Sequence, residues 1–270
     1  MKIAIMSDVH GNPKAFKKAL SDAKKKKVGK IILLGDVVGY GYDPMACIKL
    51  AKENCDVVIK GNHDAGTIGE LSLSWFSQTA MNGVLRHRSQ IDDEARKWLS
   101  GLAHTYEDKE NGFVCVHGTV NMPDKFEYIQ SGIEAQMDMD YVRSAYGCNL
   151  EFVGHTHYSV VFSWNTDARV KALENKRFYV DYKDKRGEGK VEILPENSYS
   201  VNVGSVGYPR NEIDSVYVIF DTEKRTVEYR RLDFDAEEYQ DDLGKSGISV
   251  PMWLSYRIDQ LKKLDEVKMK

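Results

Sequence analysis

Five short stretches of this chain set carboxylates, amides and imidazoles close together: Asp8-Val9-His10, Gly35-Asp36, Gly61-Asn62-His63-Asp64, His117-Gly118 and Gly154-His155-Thr156-His157. Five of the seven histidines fall in these stretches, leaving only His87 and His104 elsewhere. Imidazole nitrogens mixed with oxygen ligands suit manganese, iron, zinc or cobalt better than calcium or magnesium alone. A carboxylate can bridge two such ions. A pair of ions about 3.5–4 Å apart clamps the attacking and leaving oxygens of an in-line phosphoryl displacement. Each stretch has a plainer explanation when taken alone. Asp8 and Asp64 could cap helices, His10 could be a loop residue, and His117 could be a core histidine. His155 and His157, two apart, would point to opposite faces of a regular strand. Single pairs of this kind arise by chance; five in order do not fit chance well.

What must position them is legible in the periodicity. Ile3-Ala4-Ile5-Met6, Ile31-Ile32-Leu33-Leu34 and Val57-Val58-Ile59 are short apolar runs, as expected of strands buried on both faces. Between them lie an amphipathic stretch opened by Pro13, with Lys24–Lys27 at its positive end, and a second one from about Pro44 to Lys52. The result is a βαβαβ unit and a parallel sheet with right-handed crossovers. Strands resume at Phe113–Val116 and Leu150–Val153, with a polar helical connection between them. Every one of these five strands ends in a chemistry-bearing stretch. In open α/β sheets, ligands bind beyond the carboxyl ends of the strands, so all five deliver to one rim.

Residues 67–104 carry apolar residues at helical spacing and read as two inserted helices, with Trp75, Phe76 and Trp98 taken as core. From Tyr158 the pattern turns to shorter β segments, predicting a second, partly antiparallel sheet packed on the first. The charged span Asn175–Lys190 reads as an exposed hairpin or mobile loop. Two helices, near Ala236–Leu243 and Pro251–Leu264, follow.

In order and spacing, these motifs resemble the calcineurin-like metallophosphoesterases. A closer resemblance is to the bacterial and archaeal branch related to diadenosine tetraphosphatase, carried by Gly39-Tyr40-Gly41-Tyr42-Asp43-Pro44, by the insertion with Trp98-Leu99, and by residues 202–210. Members of that branch often have Pro at the place of Val203 and Gln at the place of Tyr208. The resemblance implies a four-layer α/β-β/α sandwich and two divalent ions per chain, manganese or iron first, with zinc, cobalt or nickel as options. One ion would be held by Asp8, His10, Asp36 and His157. The other would be held by Asp36, Asn62, His117 and His155, with Asp36 bridging. A metal-bridging hydroxide would attack phosphorus, and His63, its ring oriented by Asp64, would protonate the leaving oxygen. Asn12, Tyr40 and Arg210 are candidates for contact with substrate.

The chain of 270 residues suits one domain over 1–270, with an insertion at about 67–104 and a β/helical extension at about 205–270. A net charge of −3 offers no general attraction to nucleic-acid backbones or anionic membranes, which points to small phosphorylated partners such as nucleotides. The four cysteines form no Cys-x-x-Cys pair, and no apolar stretch reaches membrane-spanning length, so a cytoplasmic, reduced setting is expected. The functional expectation is dimetal hydrolysis of phosphate esters, foremost phosphodiesters or nucleotide-type substrates. Dinucleoside polyphosphate hydrolysis, phosphomonoester or phosphoprotein hydrolysis, and a metal-bound regulatory binding module stay open beside it.

Overall fold

The computed structural model describes residues 1–165, 176–179, 189–210 and 214–268. The first unit forms as its periodicity predicts. Strands β1 (Lys2–Met6), β2 (Lys30–Leu33) and β3 (Val57–Val58) run parallel in the order β3-β2-β1. Helix α1 (Pro13–Lys25) joins the first two and α2 (Pro44–Asn54) the next two. Both helices start in the same way. A proline stands in the first turn, and Asn12 or Asp43 accepts a backbone N–H three residues on, satisfying one of the free amides at a helix start. Helix α1 buries Phe16, Ala19, Leu20 and Ala23 and keeps Lys24 and Lys25 in its last turn, where they complement the helix dipole.

The insertion contributes α3 (Asn62–Ile68), a 3-10 turn at Leu73–Trp75, α4 (Gln78–Gln90) and α5 (Asp93–Ser100). Ser77 caps α4, so Trp75 lies outside the helix, and its indole is 91% exposed rather than core. Phe76 and Trp98 do pack on the core, each partly buried.

Strands β4 (Thr105–Asp108), β5 (Phe113–Val116), β6 (Leu150–Val153), β7 (Ser159–Asn165), β8 (Lys176–Tyr179) and β10 (Asn197–Val203) build a second six-stranded sheet in the order β4-β5-β6-β10-β7-β8. Strands β9 (Lys190–Glu192), β11 (Ser215–Asp221) and β12 (Thr226–Leu232) instead complete the first, in the order β3-β2-β1-β11-β12-β9. The division by sequence half is therefore not the observed one: β5 and β6 lie in the second sheet, and three late strands return to the first. The reason is physical. Strand periodicity records which faces are covered and not which strand lies alongside; β5, β6 and β11 are covered on both faces, so nothing in their pattern names the partner. Of the charged span Asn175–Lys190, only β8, Gly189 and the start of β9 are described; the rest of that expectation lies outside the described residues.

The two sheets pack face to face between helices. Alternate residues of β1 point to opposite sides: Ala4 and Met6 belong to the core shared with α1, α2, α7 (Ala236–Lys245) and α8 (Met252–Lys268), while Ile3 and Ile5 belong to the core shared with the other sheet. On β5, Phe113 and Cys115 point inward, and Val114 and Val116 face α6 (Gly132–Tyr146). The layers are thus helix, sheet, sheet, helix. The inner layer holds three edge-on rings, with Phe113 5.3 Å from Phe152 and 5.7 Å from Phe220. Fully burying one such side chain contributes about 1.5–3 kcal/mol. Among the described residues, no helix is long and apolar enough to cross a membrane.

Candidate metal centre

The carboxyl ends of β1, β2 and β3 in one sheet and of β5 and β6 in the other converge on one buried point. Asp8, His10, Asp36, Asn62, His63, His117, His155 and His157 are each at most 9% exposed. The backbone turns sharply to bring them there: Asp8, His10, Asp36, Tyr40, His155 and His157 all have φ between 50° and 66°. This left-handed conformation is uncommon outside glycine, and Asp and His are among the types that tolerate it best. It also removes the objection to His155 and His157. Neither belongs to the strand, so strand alternation does not apply to them. Asn202 on β10 supports their turn, donating to Gly154 O at 2.6 Å and to Thr156 Oγ1 at 2.9 Å. A side chain at Gly154 would put its Cβ 2.1 Å from Ser7 Oγ, so only glycine fits the turn.

Ligand-type atoms gather in three overlapping groups, of which one, His10, Asp36 and His63, shares a residue with each of the other two. Of those two sets, Asp8, His10 and His157 form one, with Asp8 Oδ1 3.2 Å from His157 Nε2 and 3.5 Å from His10 Nε2. Asp36, His117 and His155 form the other, joined by Asn62, whose Oδ1 lies 3.1 Å from His117 Nε2. Asp36 adjoins both: its Oδ2 lies 3.6 Å from His10 Nε2 and 3.3 Å from His117 Nε2.

The donor set fits metal. Three rings are fixed through Nδ1 by main-chain carbonyls: His10 by Val38 O at 3.1 Å, His117 by Leu34 O at 2.7 Å, and His157 by Tyr208 O at 2.6 Å. A carbonyl oxygen accepts only, so each Nδ1 carries the hydrogen, and in a neutral ring Nε2 is left with a lone pair. Yet His10 Nε2 and His157 Nε2 face each other at 3.1 Å. Asp8 Oδ1 and Asp36 Oδ2 are buried beside these nitrogens without a hydrogen-bond partner. Lone pairs turned on lone pairs in a buried place call for a cation between them.

The charges say the same. Burial works to raise the carboxyls of Asp8 and Asp36, but the surrounding imidazoles outweigh it and hold both well below the usual carboxylate range. Burial also opposes a proton on His117, yet the Asp36 carboxylate lifts its ring to about 9. His155, pressed by burial and by His117, falls to about 3, and His157, by burial and Arg210, to about 4. The field that draws a proton to His117 is the field that a divalent ion would answer.

The remaining candidates separate. His63 lines a cavity of about 550 Å³ beside the two sets. Its Nδ1 has no partner, and its ring leaves no room for a side chain at Gly39, whose φ is 93° and whose Cβ would lie 2.2 Å from Nδ1. Asp64 does not orient that ring. Its Oδ1 accepts from Val37 and Val38 N–H at 3.0 and 3.2 Å and its Oδ2 from Gly61 N–H at 3.0 Å, which makes it the cap of α3 and the anchor of the Asp36 turn. Asn12 is likewise occupied elsewhere, donating to Gly207 O at 3.1 Å while capping α1, and it does not line the cavity. Tyr40 and Arg210 do line it. Arg210 Nη2 donates to Tyr40 Oη at 3.0 Å, and Tyr40 stacks on Tyr208 with ring centres 4.2 Å apart. Tyr208 thus has a structural part here through both its ring and its carbonyl.

Two residues escape a reading of motifs. Tyr128, on the loop after His117, stacks on His155 at 3.9 Å. His87, on α4, accepts from Gly39 N–H through Nδ1 at 2.7 Å, and its Nε2 is 3.0 Å from Gly41 O. No spacing in the sequence points to Tyr128. For His87 the only signal is an imidazole on an apolar helix face.

Rim, ligand pattern and layering together define a metallophosphoesterase, and comparison with known proteins agrees. The calcineurin-like phosphoesterase superfamily domain matches residues 1–225, and the chain belongs to that family, whose members hydrolyse phosphate esters with two metal ions. An uncharacterised protein of Methanocaldococcus jannaschii is 32% identical over 261 residues, covering 95% of this chain and 96% of its own length. The fold is similar to the crystal structure of a metallophosphoesterase from Sphaerobacter thermophilus, with a TM-score of 0.74 and 29% identity over 96% of this chain and 98% of that one. A hypothetical protein from Pyrococcus horikoshii shares the fold, with a TM-score of 0.69 and 17% identity over 94% of this chain and 95% of that one.

Proposed function

We propose that the protein hydrolyses phosphodiesters or nucleotide-type phosphate esters, in the cytoplasm, with two ions held by Asp8, His10, Asp36 and His157 and by Asp36, Asn62, His117 and His155. Manganese or iron suits this mixture of imidazole and oxygen. The chain then acts as one domain, with 67–104 inserted and 205–270 appended around the site. One observation carries the reading: the unpartnered Asp36 Oδ2, lying 3.6 Å from a nitrogen of one set and 3.3 Å from a nitrogen of the other.

Ions in these positions would supply positive charge at the phosphoryl oxygens and acidify a water. The protein's own residues do the rest. Asn62 contributes an oxygen without charge, which leaves the centre positive enough to take a phosphate. Arg210, fixed against Tyr40, adds a cation on the cavity wall. As water oxygen bonds to phosphorus and the ester bond breaks, the departing oxygen needs a proton. Burial keeps His63 neutral, well below its ordinary pKa, and a neutral imidazole still has one N–H to give.

The test is an assay of metal-stripped protein, with Mn²⁺ restored, on chromogenic phosphomonoester and phosphodiester pairs. Metal-dependent turnover that favours the diester is expected. Two bound ions per chain with no turnover of either substrate would sink the general diesterase reading and leave a very selective enzyme or a metal-bound binding module. Asp36→Asn should lower metal content and cut activity at least about 100-fold, since even supporting groups at metal sites cost 10–100-fold. Unchanged metal content would rule out the bridge.

A further inference from the structure

The cavity that begins at Asn62, His63 and His155 is far larger than a phosphoryl group needs. Its volume of about 550 Å³ falls in the range that takes nucleotide-sized or drug-sized ligands. Its walls change character with distance from the metal centre. Near His63 the ring of Phe76 stands edge-on to the imidazole, 5.1 Å away. Beside it the stacked Tyr40 and Tyr208 carry the Arg210 guanidinium, 5.7 Å from the Tyr40 ring. At the margin are Trp75, from the 3-10 turn, and Met252, which opens α8.

These last two are 91% and 87% exposed, the two most exposed large apolar side chains among the described residues. Single exposed apolar residues are ordinary. Two of them, from elements far apart in the chain, on the margin of one cavity continuous with the reacting centre are not. Neither contributes to the core. An indole and a thioether are also the side chains best suited to hold a flat ring: one offers a π-face, the other a polarizable sulfur that adapts to ring edges. His63, the donor to the departing oxygen in the proposed reaction, lines the same cavity as Trp75 and Met252.

We propose that the outer half of the cavity, between Trp75 and Met252, is a subsite for a planar aromatic or heteroaromatic ring borne by the alcohol part of the ester. The enzyme then selects ring-bearing phosphate esters over simple alkyl phosphates. The proposal rests on the phosphoesterase reading, and its test separates the two.

Butylphosphonate and 4-phenylbutylphosphonate differ only in a terminal ring, and their P–C bond cannot be hydrolysed. Calorimetric titration of the Mn²⁺-loaded protein should show the phenyl probe binding about tenfold or more tighter, which corresponds to about 1.4 kcal/mol. Trp75→Ala and Met252→Ala should each remove most of that preference and leave the affinity for butylphosphonate unchanged. Both positions are exposed, so the variants should fold as the parent does. Equal binding of the two probes by the parent, or equal weakening of both by Trp75→Ala, overturns the ring subsite while leaving the phosphoesterase standing. A 4-cyclohexylbutyl probe that matches the phenyl one shows apolar burial without ring selection, and overturns the aromatic assignment. If neither original probe binds, the phosphate reading fails first and takes the subsite with it.

Discussion

At the level of single residues, the surroundings of the His63 ring differ from those of its neighbours. His10 and His157 have Nδ1 fixed to a carbonyl and Nε2 turned to a carboxylate. His63 has an unpartnered Nδ1 and a place on the cavity wall. His63→Ala is therefore expected to keep both metal ions. Its rate should fall about 10²–10⁴-fold on an alkyl diester, the usual range for a lost proton donor, and less than about tenfold on a nitrophenyl ester that needs no protonation. Metal analysis beside the two rates checks this; loss of an ion would make His63 a ligand instead. The metal-binding types were legible in the sequence because each follows a strand, and strand ends in such folds share a rim. The single-residue errors have a common source. Asn12 before Pro13 and Asp64 three residues after Gly61 carry the marks of helix caps, and both are caps. Trp75 was misplaced because Ser77 starts the helix after it, a boundary that apolar spacing does not mark.

At the level of elements, α4 braces the reactive rim from outside it. His87 bonds to Gly39 and Gly41 on either side of Tyr40, and Arg86 Nη2 donates to Tyr40 O at 2.8 Å. Burial lowers the His87 ring to about 3, so it stays neutral and can accept with one nitrogen while donating with the other. His87→Ala leaves the buried Gly39 N–H unpaired, at about 1–3 kcal/mol, and leaves Gly41 O with only its longer bond from Arg86 Nη2 at 3.3 Å. A lower urea midpoint and a KM raised several-fold, with kcat less affected, are expected because the Tyr40–Arg210 wall loses its support. His87→Gln, which can donate and accept, should recover part of both; a kcat loss without a KM change would argue against a brace on the substrate wall. The helices of this insertion were legible from periodicity. Their grip on the Gly39–Gly41 turn was not, since it joins residues some 46–48 positions apart through hydrogen bonds with no pattern of their own.

At the level of the whole molecule, stability carries a pH signature from outside the site. Glu151 on β6 is fully buried under α6, and neither of its oxygens makes a well-formed hydrogen bond. Burial first, and then the charge of Asp138, push its carboxyl well above the usual range. The folded state thus keeps a proton that the unfolded chain releases at about pH 4.3, so stability declines as pH rises from there towards the folded value. Glu151→Gln removes that decline. Urea midpoints compared between pH 5 and 8 should show the variant gaining on the parent as pH rises, whereas a constant difference would mean that the carboxyl is already ionised in the fold. The helices and the second sheet packed on the first were legible from strand and helix periods, and the four-layer order from the family resemblance. The assignment of strands to sheets was not, because β5 and β6 are covered on both faces as β1 is.

That assignment has a consequence for catalysis. Each ligand-type group draws on both sheets, Asp8 and His10 meeting His157 and Asp36 meeting His117 and His155, so the gap between the sheets sets how far apart the side chains within each group stand. Phe113, Phe152 and Phe220 fill that gap. The interior therefore works as a spacer gauge for the reaction: a side chain trimmed deep between the sheets, touching neither metal nor substrate, detunes the pitch at which the two halves of the centre meet.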